Sequence, residues 1–195
     1  MDILVYNAQW MLWNMLLACV PLICVGFLMR LHTTWIKIPL VVTWFLFLPN
    51  SLYIVTDLYH LTYEWFLVKG IFKLLLLLQF GLFIPTAIAA YVLSLDWFVK
   101  ERDHLLRQTS KKKTWINFLK SNYSIYFLHL FVAFGVILGR VERTNSWDVV
   151  AHPQQVVIDV FNLMSSPIKV FWIVLLWLAI CILFPNLPRR LNRSV

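Results

Sequence analysis

The residues able to do chemistry fall into two short stretches. Asn50, Tyr53, Asp57, His60 and Glu64 follow one another at steps of three or four. On a continuous α-helix, which turns about 100° per residue, they share a face roughly 80° wide. Arg140, Arg143, Asn145 and Asp148 form the second stretch. Arginines offer forked donors to phosphate or carboxylate, Asn145 and Tyr53 add neutral hydrogen bonds, and His60 with Asp57 has the makings of an oriented acid or base. These types suit recognition of an anion or lipid headgroup, with transfer or hydrolysis at a lipid-linked phosphate as the catalytic form; whether the chain is an enzyme stays open. Asp57, His60 and Glu64 at i, i+3 and i+7, with Asp148 as a fourth ligand, are also metal-ligand types. The carboxylate-x-x-His pattern is present only once, and two arginines oppose a cation, so no metal or other cofactor is expected. A Ser146, His60, Asp57 hydrolase lacks a nucleophile elbow, and Ser146 beside Asn145 reads as a turn.

The elements that position these residues are set by an apolar composition. Of 195 residues, 61% are hydrophobic and 13% charged, against about 45–50% and 25% in soluble domains. Runs free of Asp, Glu, Lys and Arg cover Ile3 to Met29, Ile38 to Thr56, Leu74 to Leu95, Ser121 to Gly139 and Val170 to Pro188. Each approaches or exceeds the roughly 20 residues a helix needs to cross the hydrocarbon core. Lipid offers the backbone no hydrogen bonds, and strand-like alternation is absent, so the expectation is an all-α membrane protein. Its expected form is a single domain over 1–195, a bundle of five transmembrane helices at about 8–29, 38–57, 73–97, 122–140 and 168–186. Pro49 should kink the second span. Asn122, Tyr126, His129, Ala133, Val136, Arg140 and Arg143 form a seam along the fourth, facing other helices.

Positive charge sets the orientation. With the N-terminus outside and the C-terminus cytoplasmic, Arg30, Lys37, the basic loop 99–121 and the C-terminal arginines fall inside. Lys69, Lys73, Arg140, Arg143 and Lys169 are then the outer cations. The first segment lacks the basic start of a signal peptide and is expected to stay as a span; Cys19 is not read as a lipoprotein site. The three cysteines lie within spans and suggest neither a disulfide framework nor a metal cluster. The net charge of +8, concentrated around Lys111, Lys112 and Lys113, fits anionic lipids of the inner leaflet rather than nucleic acid.

Residues Phe47 to Leu61, FLPNSLYIVTDLYHL, and Gly139 to Asp148, GRVERTNSWD, resemble the two signature stretches of an uncharacterised bacterial integral-membrane family, classed as a domain of unknown function. Its usual forms are close to FLPNAPYIxTDLxHL and GRFxRxNSWD. Ser51 and Leu52 depart from the usual Ala-Pro, which bears on local helix geometry rather than on the polar residues. The resemblance covers nearly the whole chain and implies a multispanning protein of a bacterial plasma membrane. It brings no activity.

Three functional readings follow. Asn50, Tyr53, Asp57, His60, Arg140, Arg143, Asn145 and Asp148 line an outward-facing pocket for an anionic or lipid-linked ligand. Alternatively, the same residues form an interhelical clasp in a structural or assembly protein, with Asp57 paired to Arg140 or Arg143. As a third reading, helices broken at Pro49, Gly81 and Pro85 enclose the solute cavity of a transporter or substrate-binding subunit, with Gln79 and Thr86 facing one way. Beyond the fourth span, Pro153 starts a stretch in which Val156, Val157, Val160, Phe161 and Met164 recur at helical spacing. It is too short to span and is expected to be an amphipathic outer-surface helix over 153–164 that packs on the bundle; a roof over the pocket is the alternative to packing with no lid role.

Overall fold

A computed structural model describes residues 2–31, 33–108 and 123–184. All regular structure among them is helical: α1 (Asp2–Leu28), α2 (Thr34–Tyr53), a 3-10 turn (Ile54–Asp57), α3 (Leu58–Glu64), α4 (Ile71–Gln108), α5 (Tyr123–Val141), α6 (Asp148–Ala151), α7 (Pro153–Met164) and α8 (Pro167–Leu183). Four stretches are long and apolar enough to cross a membrane: Ile3–Leu28, Trp35–Glu64, Ile71–His104 and Tyr123–Val141. A fifth crossing is reached if α7 and α8, bent by 90° at their junction, count as one span. Large side chains such as Leu82 and Ile182 are 71% and 75% exposed, which is stable against lipid and costly against water. Asn122 and the basic residues Lys111, Lys112 and Lys113 lie outside the described residues.

Internal contacts separate the chain into two compact units. The first comprises Met1–Phe27 and His32–Ser94. Its core joins Met11 and Ala18 of α1 to Ile54, Val68, Leu76, Phe80, Phe83 and Ala87. Apolar packing gains little over lipid tails, so small residues that permit close approach, and hydrogen bonds between helices, must select the neighbours. Fully buried Ala18, Ser51, Ala87 and Ser94 fit that role. Ser51 Oγ donates to the Ala18 carbonyl at 3.1 Å, and Trp44 Nε1 donates to Ser94 Oγ at 2.9 Å. Gly70, at φ 57°, makes the turn into α4, where a side chain would be strained.

Two expectations about broken helices are corrected. The second span continues as α-helix through Pro49 to Tyr53, and its irregularity is the 3-10 turn that follows. Pro49 is preceded by enough regular helix that losing one donor does not end the ladder. The helix α4 runs unbroken through Gly81 and Pro85. Gln79 Nε2 donates to the Leu4 carbonyl at 2.9 Å, whereas Thr86 Oγ1 bonds back to its own helix at Leu82.

The second unit comprises Leu28–Leu31 and Leu95–Val195. Within it α5 and α8 pack closely. The buried stripe His129, Val132, Ala133 and Val136 of α5 matches the middle of the expected seam, whereas Arg143, expected at its outer end, lies beyond the helix and is exposed. Trp177 Nε1 donates to the Tyr126 carbonyl at 2.9 Å, and Cys181 Sγ lies 3.8 Å from His129 Nδ1. Near the end of α4, buried Asp96 pairs with half-exposed Lys100 at 2.8 Å, the aliphatic stem of the lysine carrying its charge toward water. Arg102 binds Asp103 at 2.7 Å and Ser124 Oγ at 3.0 Å.

The helix expected over 153–164 is present with those bounds as α7. Pro153 opens it at a position where no backbone donor is needed. Pro167 opens α8 in the same way, and Ser166 before it is extended, as a residue preceding proline prefers. The chain therefore turns sharply between α7 and α8.

Candidate functional site

Asn50, Tyr53, Asp57 and His60 belong to the first unit, and Arg140, Arg143, Asn145 and Asp148 to the second. Ser146 lies in the second unit, apart in the chain from Asp57 and His60.

In the first unit the polar residues of the second span meet a stripe on α1. Asn14 Nδ2 approaches Asp57 Oδ2 at 3.4 Å, and Asn7 Nδ2 donates to Glu64 Oε2 at 2.5 Å. Between these contacts the His60 ring lies against Trp10, centroids 5.4 Å apart, and Trp10 Nε1 donates to Asn7 Oδ1 at 3.0 Å. Trp10 in turn meets Phe80 and Phe83 edge-on. Asp57 is 2% exposed and Glu64 8%, so each carboxylate depends on protein partners. Asn50 and Tyr53 are half-buried on α2.

The 3-10 turn helps bring Ser51 round to the face that meets α1, where its Oγ donates to the Ala18 carbonyl. Four residues advancing about 120° each, instead of 100°, rotate everything beyond them by roughly 80°. That brings Ser51 to within roughly 40° of Asp57, whereas a continuous α-helix would hold the two about 120° apart. Asn7, Trp10, Asn14 and Ala18 recur at steps of three and four, a signal from which this face of α1 was readable. It is easily passed over because amides and an indole carry no charge.

The second unit gathers its polar groups at the end of α5. Glu142 accepts from Lys169 Nζ at 2.6 Å. Asp159, 7% exposed, accepts from Thr144 Oγ1 at 2.6 Å and from Gln155 Nε2 at 2.7 Å, fastening the loop after α5 to α7. Asp148 accepts from the Asn145 backbone N–H at 2.7 Å and from its Nδ2 at 3.2 Å, and its own N–H returns to the Asn145 carbonyl. The backbone bond closes a turn over 145–148, and the carboxylate reaches back across it to the Asn145 N–H. His152 Nδ1 is 3.2 Å from the same carboxylate. The Asn145 backbone N–H is the main cause holding the Asp148 carboxyl below the usual carboxylate range; partial burial opposes it, and the His152 and Asn145 side chains assist. The sequence reading missed Thr144, Gln155, Asp159 and Lys169 because their pairing depends on how the chain folds back after Val141.

Arg140 is half-buried in the last turn of α5, where a cation complements the helix carbonyls. Arg143 differs. Its backbone is left-handed, φ 61°, a conformation most side chains avoid. Its side chain is exposed and makes no hydrogen bond or ion pair among the described residues. Asp57, His60 and Glu64 turn to separate partners on α1, and among the described residues no three His, Cys, Asp or Glu side chains converge as metal ligands would.

A family model described as a protein of unknown function, DUF1361, matches residues 13–184. The chain belongs to the DUF1361 family. Both polar stretches, 50–64 and 140–148, lie inside the matched region, as does Asn14; Asn7 and Trp10 precede it. No curated protein and no solved structure matches the chain. Family and apolar helices together make this DUF1361 chain a multi-pass membrane protein.

Proposed function

We propose that this chain sits in a bacterial plasma membrane with its N-terminus outside and binds an anionic, phosphate-bearing ligand at the outer loop after α5. Arg143 is the principal donor and Arg140 its neighbour. One observation carries the reading. At this end of the second unit Glu142, Asp148 and Asp159 already have partners, while Arg143 is held exposed in a strained backbone with no anion of its own among the described residues. A guanidinium so placed matches phosphate geometry better than an ammonium group would, and strain of about 1–2 kcal/mol is commonly kept where it serves binding. Asn145 and Asp148 act in this reading as the frame of the loop.

The test is binding of inorganic phosphate to protein held in phosphatidylcholine nanodiscs, followed by phosphorus NMR. Saturable binding that weakens about tenfold in Arg143→Gln supports the reading. Equal binding by wild type and variant, or none by wild type, removes it.

A second reading belongs to the first unit, where buried Asp57 and Glu64 meet amides of α1. There the polar groups serve as a clasp that selects the partner of the second span. Asn7→Leu tests it: a marked loss of stability in detergent is expected, and unchanged stability would remove this role.

A further inference from the structure

The helix α7 presents two different long faces. Val156, Asp159, Val160 and Leu163 occupy the inner one; Asp159 and Leu163 are buried, and the helix packs on α5 and α8. Val157, Ile158, Phe161 and Met164 occupy a second face, 68%, 52%, 71% and 54% exposed. Asn162 and Gln155 lie beside it on the helix circumference. The single charge of α7, Asp159, is turned inward to Thr144 and Gln155. An exposed apolar face without charge needs a cover, and the direction of the helix indicates which. It stands at 90° to α8, an apolar helix of 17 residues, about 25 Å long and close to the thickness of the hydrocarbon core. With α8 crossing the bilayer, a helix at right angles to it lies along the membrane surface. Lys169 at the start of α8 and Trp147 before α6 are residue types that mark that depth.

We infer that α7 lies in the membrane–water interface with Val157, Ile158, Phe161 and Met164 in lipid, and that the phosphate taken by Arg143 is therefore that of a lipid headgroup. The second clause rests on the function proposed above. The link is short: Asp159 of α7 binds Thr144, the residue after Arg143. A surface helix buries its apolar side about 5–10 Å into the headgroup and acyl boundary. Arg143 is thus held beside the layer in which lipid phosphates lie. The apolar face commits to lipid rather than to a second copy of the chain, because a helix parallel to the bilayer and anchored at its C-terminal end to a spanning helix meets lipid first.

The experiment combines depth with lipid retention. In protein with Cys19, Cys24 and Cys181 replaced by alanine, spin labels are placed singly at Phe161→Cys and Asn162→Cys in nanodiscs containing phosphatidylglycerol. The label at 161 is expected to collide mainly with oxygen, and that at 162 mainly with a water-soluble nickel complex. Equal nickel access at both positions, or shielding of 161 from both reagents as a protein contact would give, overturns the interfacial placement. Native mass spectrometry then compares wild type with Arg143→Gln. Retained phosphatidylglycerol falling about tenfold in the variant supports the headgroup assignment. Retention unchanged in Arg143→Gln, with 161 in lipid, overturns the headgroup assignment; the Arg143 site falls with it only where inorganic phosphate binding is also unchanged in the variant. Phosphate binding dependent on Arg143, with 161 in water, leaves the site standing and overturns the inference alone. A Val157→Asp, Phe161→Asp variant is expected to lose retained phosphatidylglycerol while keeping phosphate binding; loss of neither also overturns the inference.

Discussion

The two polar regions are built on opposite plans. In the first unit, carboxylates at 2% and 8% exposure meet amides on a neighbouring helix, and the contacts join residues 43 and 57 positions apart in sequence. In the second unit, the Asp148 contacts reach three or four residues along the chain and leave an exposed arginine beside them. A buried polar pair specifies which helices touch, since the alternative is an unsatisfied group in hydrocarbon. The loop after α5 closes on itself at Asn145 and Asp148 and is fastened to α7 and α8 through Thr144 and Glu142, and none of these contacts uses Arg143, so that donor is available for something else.

The contrast predicts different responses to substitution. The largest effect is expected from Asn7→Leu, which leaves buried Glu64 without its amide and should cost about 2–3 kcal/mol in detergent unfolding. Asn7→Leu with Glu64→Leu should recover to within about 1 kcal/mol of wild type; failure to recover would mean that Glu64 does more than face Asn7. Next comes Arg143→Gly, which removes the left-handed strain and should stabilise the protein by about 1 kcal/mol while abolishing phosphate binding. A Gly variant that still binds would separate the strain from the site.

Lys169→Ala is expected to cost about 0.5–1 kcal/mol, the pair with Glu142 being partly solvated. Thermal unfolding in one detergent at fixed salt measures it. The smallest effect is local. Because the folded Asp148 carboxyl is held below its unfolded value, its contribution is present above about pH 4 and lost as the solution falls through the lower folded value. Amide exchange at Asn145 should accelerate there, and Asp148→Asn should remove the pH step without altering exchange in α1.

Much of the architecture could be read because the bilayer simplifies the problem. Long uncharged runs must be helices, and α7 was legible to its ends because Pro153 marks a start and Val156, Val160 and Phe161 keep helical spacing. Other features were hidden for physical reasons. Pro49 is tolerated inside α2, while the tightening at Ile54–Asp57 has no proline or glycine to announce it. Asp57, His60 and Glu64 stood out as residues expensive to bury, but their partners Asn14, Trp10 and Asn7 are inexpensive ones. Arg143 was legible as a donor from its type. Its left-handed backbone was not, since that position usually holds glycine.

The tight turn at Ile54–Asp57 also makes two separate contacts behave as one latch. Were it to relax into α-helix, the segment beyond would swing by roughly 80° and draw in by about 2 Å, each residue rising 1.5 Å instead of 2.0 Å. His60 would leave Trp10 and Glu64 would leave Asn7 in the same motion. Neither can let go alone by that route, so the pair holds the second span overwound much as a pawl holds a spring.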